Sequence, residues 1–382
     1  MRHLKYLWVG MIIALLRIHV AQGEQDTLAI RDLKGITPSE WRETWEGYSQ
    51  AVEVHTDIYL PDVGQVPILK VKQDSQVREP LKSELEAKYK KANKKDSKHY
   101  YSFLSGEYET RLEHAVPLLW GKTKKDDRET SAKAQDWVDL TDYDPDQAYA
   151  ENNPMTVREA EETALLGLKE IYPDISFQPD EVMLFGKTYW VKNKKAIYNQ
   201  GSYFIRMRQC FQGIPCMACI NDTYTDQSHT NLRDSWNTVE SGHAVVYVYG
   251  QKSWWTRCML YHETEMIKED TNLVPLDEVK KQVQGLVRTG HIRHIYSISL
   301  GYVLFDTREE GEYLLAPCWV FWCRYHPEGG AAEETYGINS ERVMFYGNNA
   351  YYRAIIFDAQ TGRMFDTEDS SRERFLYPGY VE

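Results

Sequence analysis

The amino-acid sequence predicts an α+β protein in which tandem lobes of twisted antiparallel sheet each carry one packed helix. Three observations predict it. Two segments pair a helix-start signal with apolar residues at spacings of three and four: Thr156-Val-Arg-Glu159 leads into Val157, Ala160, Ala164 and Leu168, and Pro275 leads into Leu276, Val279, Val283 and Leu286. The runs at 295–305, 313–323, 343–346 and 354–365 are apolar and of strand length, with connections too short for a crossover helix, so they read as consecutive antiparallel strands. Finally, the order helix, strand, strand with an aromatic-rich finish occurs twice, and both helices approach their ends through Gly-Leu, at Gly167-Leu168 and Gly285-Leu286. That repetition suggests a weak tandem duplication, with two unrelated α+β modules as the alternative.

Composition sets the outer limits. A chain of 382 residues, 42% hydrophobic and 27% charged, can bury a real core and divides into two or three domains of ordinary size. The 27 tyrosines and 11 tryptophans suit half-exposed sheets and contact surfaces, where an apolar ring and a polar tip both find partners. Residues 1–23 have the pattern of a signal peptide: basic Arg2 and Lys5, an apolar run broken at Arg17, then Ala21 and Gly23 spaced for cleavage. An uncleaved N-terminal anchor is the alternative, and a membrane association is expected only in that case. Loss of the three positive charges takes the net charge from −12 to −15, which repels nucleic acid and anionic membrane.

Taken in order, Thr37-Pro-Ser-Glu40 predicts a capped helix through Trp41 and Trp45. Val52, Val54, Thr56 and Ile58 alternate with polar neighbours, and with the turn at 61–64 and the run at 66–71 they predict a hairpin whose Pro67 marks an edge or bulge. The charge-dense stretch 82–98 predicts an exposed helix. Residues 122–154 are polar and read as a long connection. The expected division is therefore 24–121 for the helix and hairpin region, 122–154 for the connection, 155–262 for the first lobe and 263–382 for the second. In the first lobe, strands are expected at 181–185, 190–191, 203–211, 244–249 and 254–261. The segment from Asp358 to Gly362 predicts the turn of a closing hairpin, a structural role for Asp358, Thr361 and Gly362.

No set of residues specifies a reaction. His262-Glu-Thr-Glu265 and His291-Ile-Arg-His294 hold metal-ligating types, but neither has an obvious complement for a four-ligand site, and exposed polar strand ends are the plainer reading. Cys216-Met-Ala-Cys219 has redox spacing but follows a strand, without the helix N-terminus that lowers a thiol pKa. The six cysteines stand at 210, 216, 219, 258, 318 and 323. Cys318 and Cys323 are five positions apart on one strand and cannot bridge, and free buried thiols and long-range bridges both remain open. Asn221-Asp-Thr223 is a glycosylation sequon, meaningful only in a eukaryotic secretory route. Trp254, Trp255 and Trp322 are the candidate ligand or partner surface, with sheet packing as the competing role. No catalytic, cofactor-binding or metal-binding residue is expected, and no cofactor.

The strands Ile298-Ser-Leu-Gly-Tyr302 and Tyr313-Leu-Leu-Ala-Pro-Cys-Trp319, with the hairpin Phe357-Asp-Ala-Gln-Thr-Gly362, resemble the PepSY-like and two-lobed sensor-kinase-regulator domains found outside the membrane of Gram-positive bacteria. Together with 57–67, they make the chain similar to an uncharacterised family of secreted or lipid-anchored proteins of clostridial gut anaerobes, over most of residues 48–365. Those relatives carry a lipid-anchor Cys after the signal, and this chain has none there. The resemblance implies a secreted, extracellular, non-catalytic module that binds a protein or peptide partner at the cell envelope. The rival expectations are a secreted glycan- or peptide-ligand-binding protein and, last, a hydrolase using acidic residues.

Overall fold

The structure, a computed structural model, describes residues 27–73, 75–88, 90–91, 100–105, 108–113, 119–123, 132–139, 144–149, 154–191, 194–219, 242–249, 252–307, 309, 311–325, 329–330, 351–365 and 377. The expected signal segment, the Asn221 sequon and the strand expected at 343–346 lie outside the described residues. The chain opens with helix α1 (Ile30–Ile36), strands β1 (Glu40–Trp45), β2 (Val52–Tyr59) and β3 (Ile68–Lys72), and helix α2 (Ser75–Lys88). Strands β4 (Lys90–Lys91), β5 (Tyr100–Ser105), β6 (Tyr108–Glu113) and β7 (Leu119–Thr123) form a small antiparallel sheet of their own. There follow β8 (Ala132–Asp139), α3 (Val157–Ile171), β9 (Ser176–Val191), β10 (Lys194–Phe211), β11 (Ile214–Cys219), β12 (His243–Tyr249), β13 (Lys252–Met259) and β14 (His262–Lys268). Helix α4 (Leu276–Arg288) and strands β15 (Ile292–Asp306), β16 (Glu312–Tyr325) and β17 (Tyr351–Asp358) complete it. Among the described residues no helix is long and apolar enough to cross a membrane.

The fold is α+β. Thirteen strands make one mixed, mostly antiparallel sheet whose main path runs β13-β12-β10-β11-β15-β16-β3-β14. Beneath it lie two apolar clusters rather than two separate sheets. One gathers Val77, Leu81 and Leu85 of α2 and Val157, Ala160, Ala164 and Leu168 of α3 against Tyr203, Ile205 and Met207 of β10. The other gathers Val279, Val283 and Val287 of α4 with the apolar runs of β15, β16 and β17, around the fully buried Trp319, whose indole donates to Val274 O at 3.0 Å.

The helix α3 begins on the expected capping box, with Thr156 and Glu159 exchanging hydrogen bonds. The meander β15-β16-β17 is antiparallel; the connection from β15 to β16 is short, as expected, whereas residues 326–350 separate β16 from β17. Its closing turn is held by Asp358, a buried carboxylate that accepts from Gln360 N–H at 2.9 Å, Thr361 hydroxyl at 2.9 Å and Tyr377 hydroxyl at 3.0 Å.

Three expectations fail. The segment carrying Trp41 and Trp45 is strand β1, not a helix. A spacing of four fits both periods, and what decides is that Trp41, Glu43 and Trp45 share one strand face against α4. There Lys280 donates to Glu43 and lies 4.5 Å from the Trp41 ring. The β2 and β3 runs do not form a hairpin: β2 pairs with β1 and β15, and β3 with β14 and β16. The helix expected at 82–98 starts and ends earlier, as α2, and buries one face. Within the expected connection 122–154, β8 pairs with β9.

The two clusters meet at a corner built on buried charge. In the β9–β10 ladder Arg206 faces Glu181 and Met207 faces Pro179, so Asp180 is an extra residue, a bulge that turns its side chain toward the arginine face of β10. Its carboxylate takes Arg206 Nε at 2.5 Å and Arg208 Nε at 2.6 Å, and both arginines are almost fully buried. Burial works to raise the Asp180 pKa, and the two guanidiniums outweigh it and hold the carboxyl below its ordinary range. Arg208 also donates to the carbonyls of Cys216, at 3.2 Å, and Met217, and so fixes β11 against β10.

Two outcomes follow at this corner. Asp180→Ala strands two buried cations and should cost about 3–5 kcal/mol in chemical denaturation at neutral pH. A carboxyl held below its unfolded value of about 3.9 stabilises above that value and loses its contribution as pH falls through the lower folded value, so the gap between native and variant narrows below about pH 4.

Candidate functional site

Strand β15 is covered along one edge by β16. Its other edge is shared by two parallel neighbours: β2 pairs at Ile298 and Ser299, and β11 at Tyr302, Val303 and Leu304. Gly301 stands between these contacts, and a Cβ there would lie 2.9 Å from Pro215 O and closer still to the Met217 side chain, so only glycine admits β11 at this distance. Among the described strands, none pairs with this edge of β15 before Ile298. The last tie is Thr56, whose hydroxyl donates to Tyr296 O at 2.8 Å, a side chain standing where a ladder bond would be.

Beyond Thr56 the two strands part, and a cleft of about 510 Å3 opens between them. Val52, Glu53 and His55 of β2 form one wall, and Ile292, Arg293 and His294 of β15 the other. Tyr48, Gln50, Ala51, Val287 and Gly290 complete the lining. Gly290 leaves α4 at φ +76°, where a Cβ would sit 2.7 Å from Gly330 N, so the chain can pass close beneath the cleft.

The walls differ in charge. On the β15 side, His294 is paired in register with Arg324 of β16. Burial lowers the pKa of Arg293 and of His294, and the Arg324 charge lowers both further. On the β2 side, Glu40 accepts from Arg42 Nε at 2.6 Å and lies 2.5 Å from His55 Nε2. Those hydrogen bonds, Arg42 first and His55 second, hold the Glu40 carboxyl below the usual range. The cleft is thus bounded by two strands, with Arg293 on one wall and Glu53 on the other.

A second cleft, of about 330 Å3, lies where α2 and the end of α3 meet β10 and β14, with Cys210, His262 and Glu263 in its lining. Cysteine and histidine together suggest nucleophilic chemistry, and the thiol argues against it. Burial pushes Cys210 up to about 11, with Arg208 drawing it only partly back, so the thiol stays protonated at neutral pH.

Of the residues singled out in the sequence, Trp322 is 3% exposed and belongs to the core, which corrects its expected place on a ligand-facing surface. Its place is the inner face of a strand covered on both sides. Trp254 and Trp255 lie in β13, and their side chains fall outside the described residues. His262 to Glu265 form part of strand β14, and among the described residues no group of three or more ligating side chains comes together. Cys216 and Cys219 lie along β11 beside β15, and Cys210, Cys216, Cys318 and Cys323 are free thiols. In the sequence His291 and His294 stand out only as metal-type residues, and Arg293 between them carries no motif. The adjacent polar pair Arg293-His294 between Ile292 and Ile295, which breaks strand alternation, is the signal that marks this wall.

No family model matches the chain, and no curated protein does. Among solved structures, an uncharacterized protein from Eubacterium rectale ATCC 33656 superposes with a TM-score of 0.56 at 16% identity, over 89% of this chain and 99% of that one. The likeness is one of fold. It links the architecture to a protein of a gut clostridial anaerobe, the group to which the sequence resemblance points.

Alkylation tests the protonated state of Cys210. Iodoacetamide at neutral pH should label it at least about tenfold more slowly in the native chain than in the urea-unfolded one, as followed by mass spectrometry of the modified peptide.

Proposed function

We propose that the protein is an extracytoplasmic, non-catalytic module that binds an extended segment of a protein or peptide partner, built as two PepSY-like lobes fused through one sheet. The observation that carries this reading is the parting of β2 from β15 after only two paired residues. Recognition by strand addition uses this arrangement: main-chain groups of an exposed edge give affinity, and pockets beside it give specificity. The two helix-backed clusters fit the tandem lobes expected from sequence. A partner at the cell envelope fits the signal-type segment at 1–23. The rival glycan-stacking reading loses one of its three aromatic residues with the burial of Trp322. The hydrolase reading finds the buried Asp180 committed to two arginines.

Panning a library of short peptides against the full chain tests the proposal. Ala51 lines the cleft and is exposed, so Ala51→Trp should fill the opening without touching the core. Selected peptides should bind the variant at least about tenfold more weakly, while its unfolding midpoint stays at the native value. Peptides that bind both forms equally, or a library that yields none, would overturn the reading.

A further inference from the structure

The charge on the two walls says more about the occupant. We infer that the β2–β15 cleft receives an extended peptide segment bearing an acidic side chain, whose carboxylate lies against Arg293 and His294 while its main chain continues the sheet alongside β15. The inference rests on the reading that this cleft takes an extended chain.

Three features point the same way. The part of β15 before the Thr56–Tyr296 tie comprises residues 292–295, a span of about 13 Å at 3.3 Å per residue, room for a short peptide strand. The β15 wall carries the cation Arg293, with Arg324 beside it in the next strand, and His294, whose lowered pKa leaves a neutral imidazole at neutral pH that can still donate a hydrogen bond, in a chain whose net charge is −12. Positive charge on this wall runs against the sign of the chain as a whole. A guanidinium engages a carboxylate through two parallel N–H donors, which fixes orientation as well as adding attraction. Arg293 is steered by a donated bond to Gly329 O at 3.4 Å, which places its head beside the cleft floor. Across the opening the exposed Glu53 is the acidic residue of the β2 wall, while Glu40 of β1 is already paired with Arg42 and His55. An acidic side chain aimed at the β2 wall would meet like charge, and one aimed at the β15 wall would meet opposite charge. Because successive side chains of a strand point to opposite faces, that asymmetry also selects the register.

The test uses the full chain and three synthetic peptides of about eight residues, acetylated and amidated at their ends so that no terminal charge contributes. Val alternates with Glu, Gln or Lys in the three. The Glu peptide should bind at least about tenfold more tightly than the Gln peptide, with the difference shrinking as salt is raised. Arg293→Met should abolish the preference and leave the Gln peptide's affinity unchanged. Arg293→Lys should retain part of the preference, which separates lost charge from a disturbed loop at Gly329. If binding is blocked by Ala51→Trp yet indifferent to Glu against Gln, or if the preference survives in Arg293→Met, the acidic-ligand inference fails and the cleft reading stands. If no peptide shows binding sensitive to Ala51→Trp, the cleft reading itself fails and takes this inference with it.

Discussion

The ion triad of Asp180, Arg206 and Arg208 is the constraint on which the rest of the sheet depends. Charged side chains this deeply buried are tolerated only when each finds a partner, and here one carboxylate serves two guanidiniums. The bulge that admits Asp180 into β9 makes this possible, because a regular ladder would have left the carboxylate on another face. Arg208 then passes the constraint onward through its bonds to the carbonyls of β11, and Gln209 next to it exchanges two hydrogen bonds with the backbone of Tyr261. Two neighbouring residues of β10 thereby anchor β11 on one side and the approach to β14 on the other.

From that corner the shape of the cleft follows. Strand β11 can lie beside β15 only where Gly301 leaves room, and β2 reaches the same edge just before it. Two parallel neighbours divide one edge, and neither covers its beginning. Parallel contacts this short are weak taken alone, and the buried apolar cluster beneath, with Ile58, Ile298 and Trp319, supplies the stability that the ladder lacks. The opening is therefore maintained by a rigid surround.

Much of this was legible in the sequence, and the limits have physical causes. The helices α3 and α4 were readable because capping signals and apolar spacing agreed, and the β15–β16 pair because its short connection leaves antiparallel pairing as the outcome. The turn at Asp358 was readable from its residue types alone. Helix and strand were confused at Trp41 and Trp45 because a spacing of four satisfies both periods. The β2–β3 hairpin was expected because adjacent strands usually pair, yet β2 finds its second partner about 240 positions away, at Ile298 and Ser299. The cleft shares that difficulty: Glu53 and Arg293 face one opening from opposite ends of the chain, and no local pattern joins them. The Asp180 bulge was hidden because the expected strand began at Glu181 and left Pro179 and Asp180 outside it.

The strand at the far end of the sheet bears on all of this. β14 pairs only with β3, and Glu263, Glu265 and Lys268 leave its exposed face charged. Charged side chains on an edge strand disfavour unplanned pairing with another chain, although Met266 between them is exposed. The sheet thus ends differently at its two kinds of edge: charge lines the outer rim at β14, while the start of β15 lies beside a cleft inside the fold.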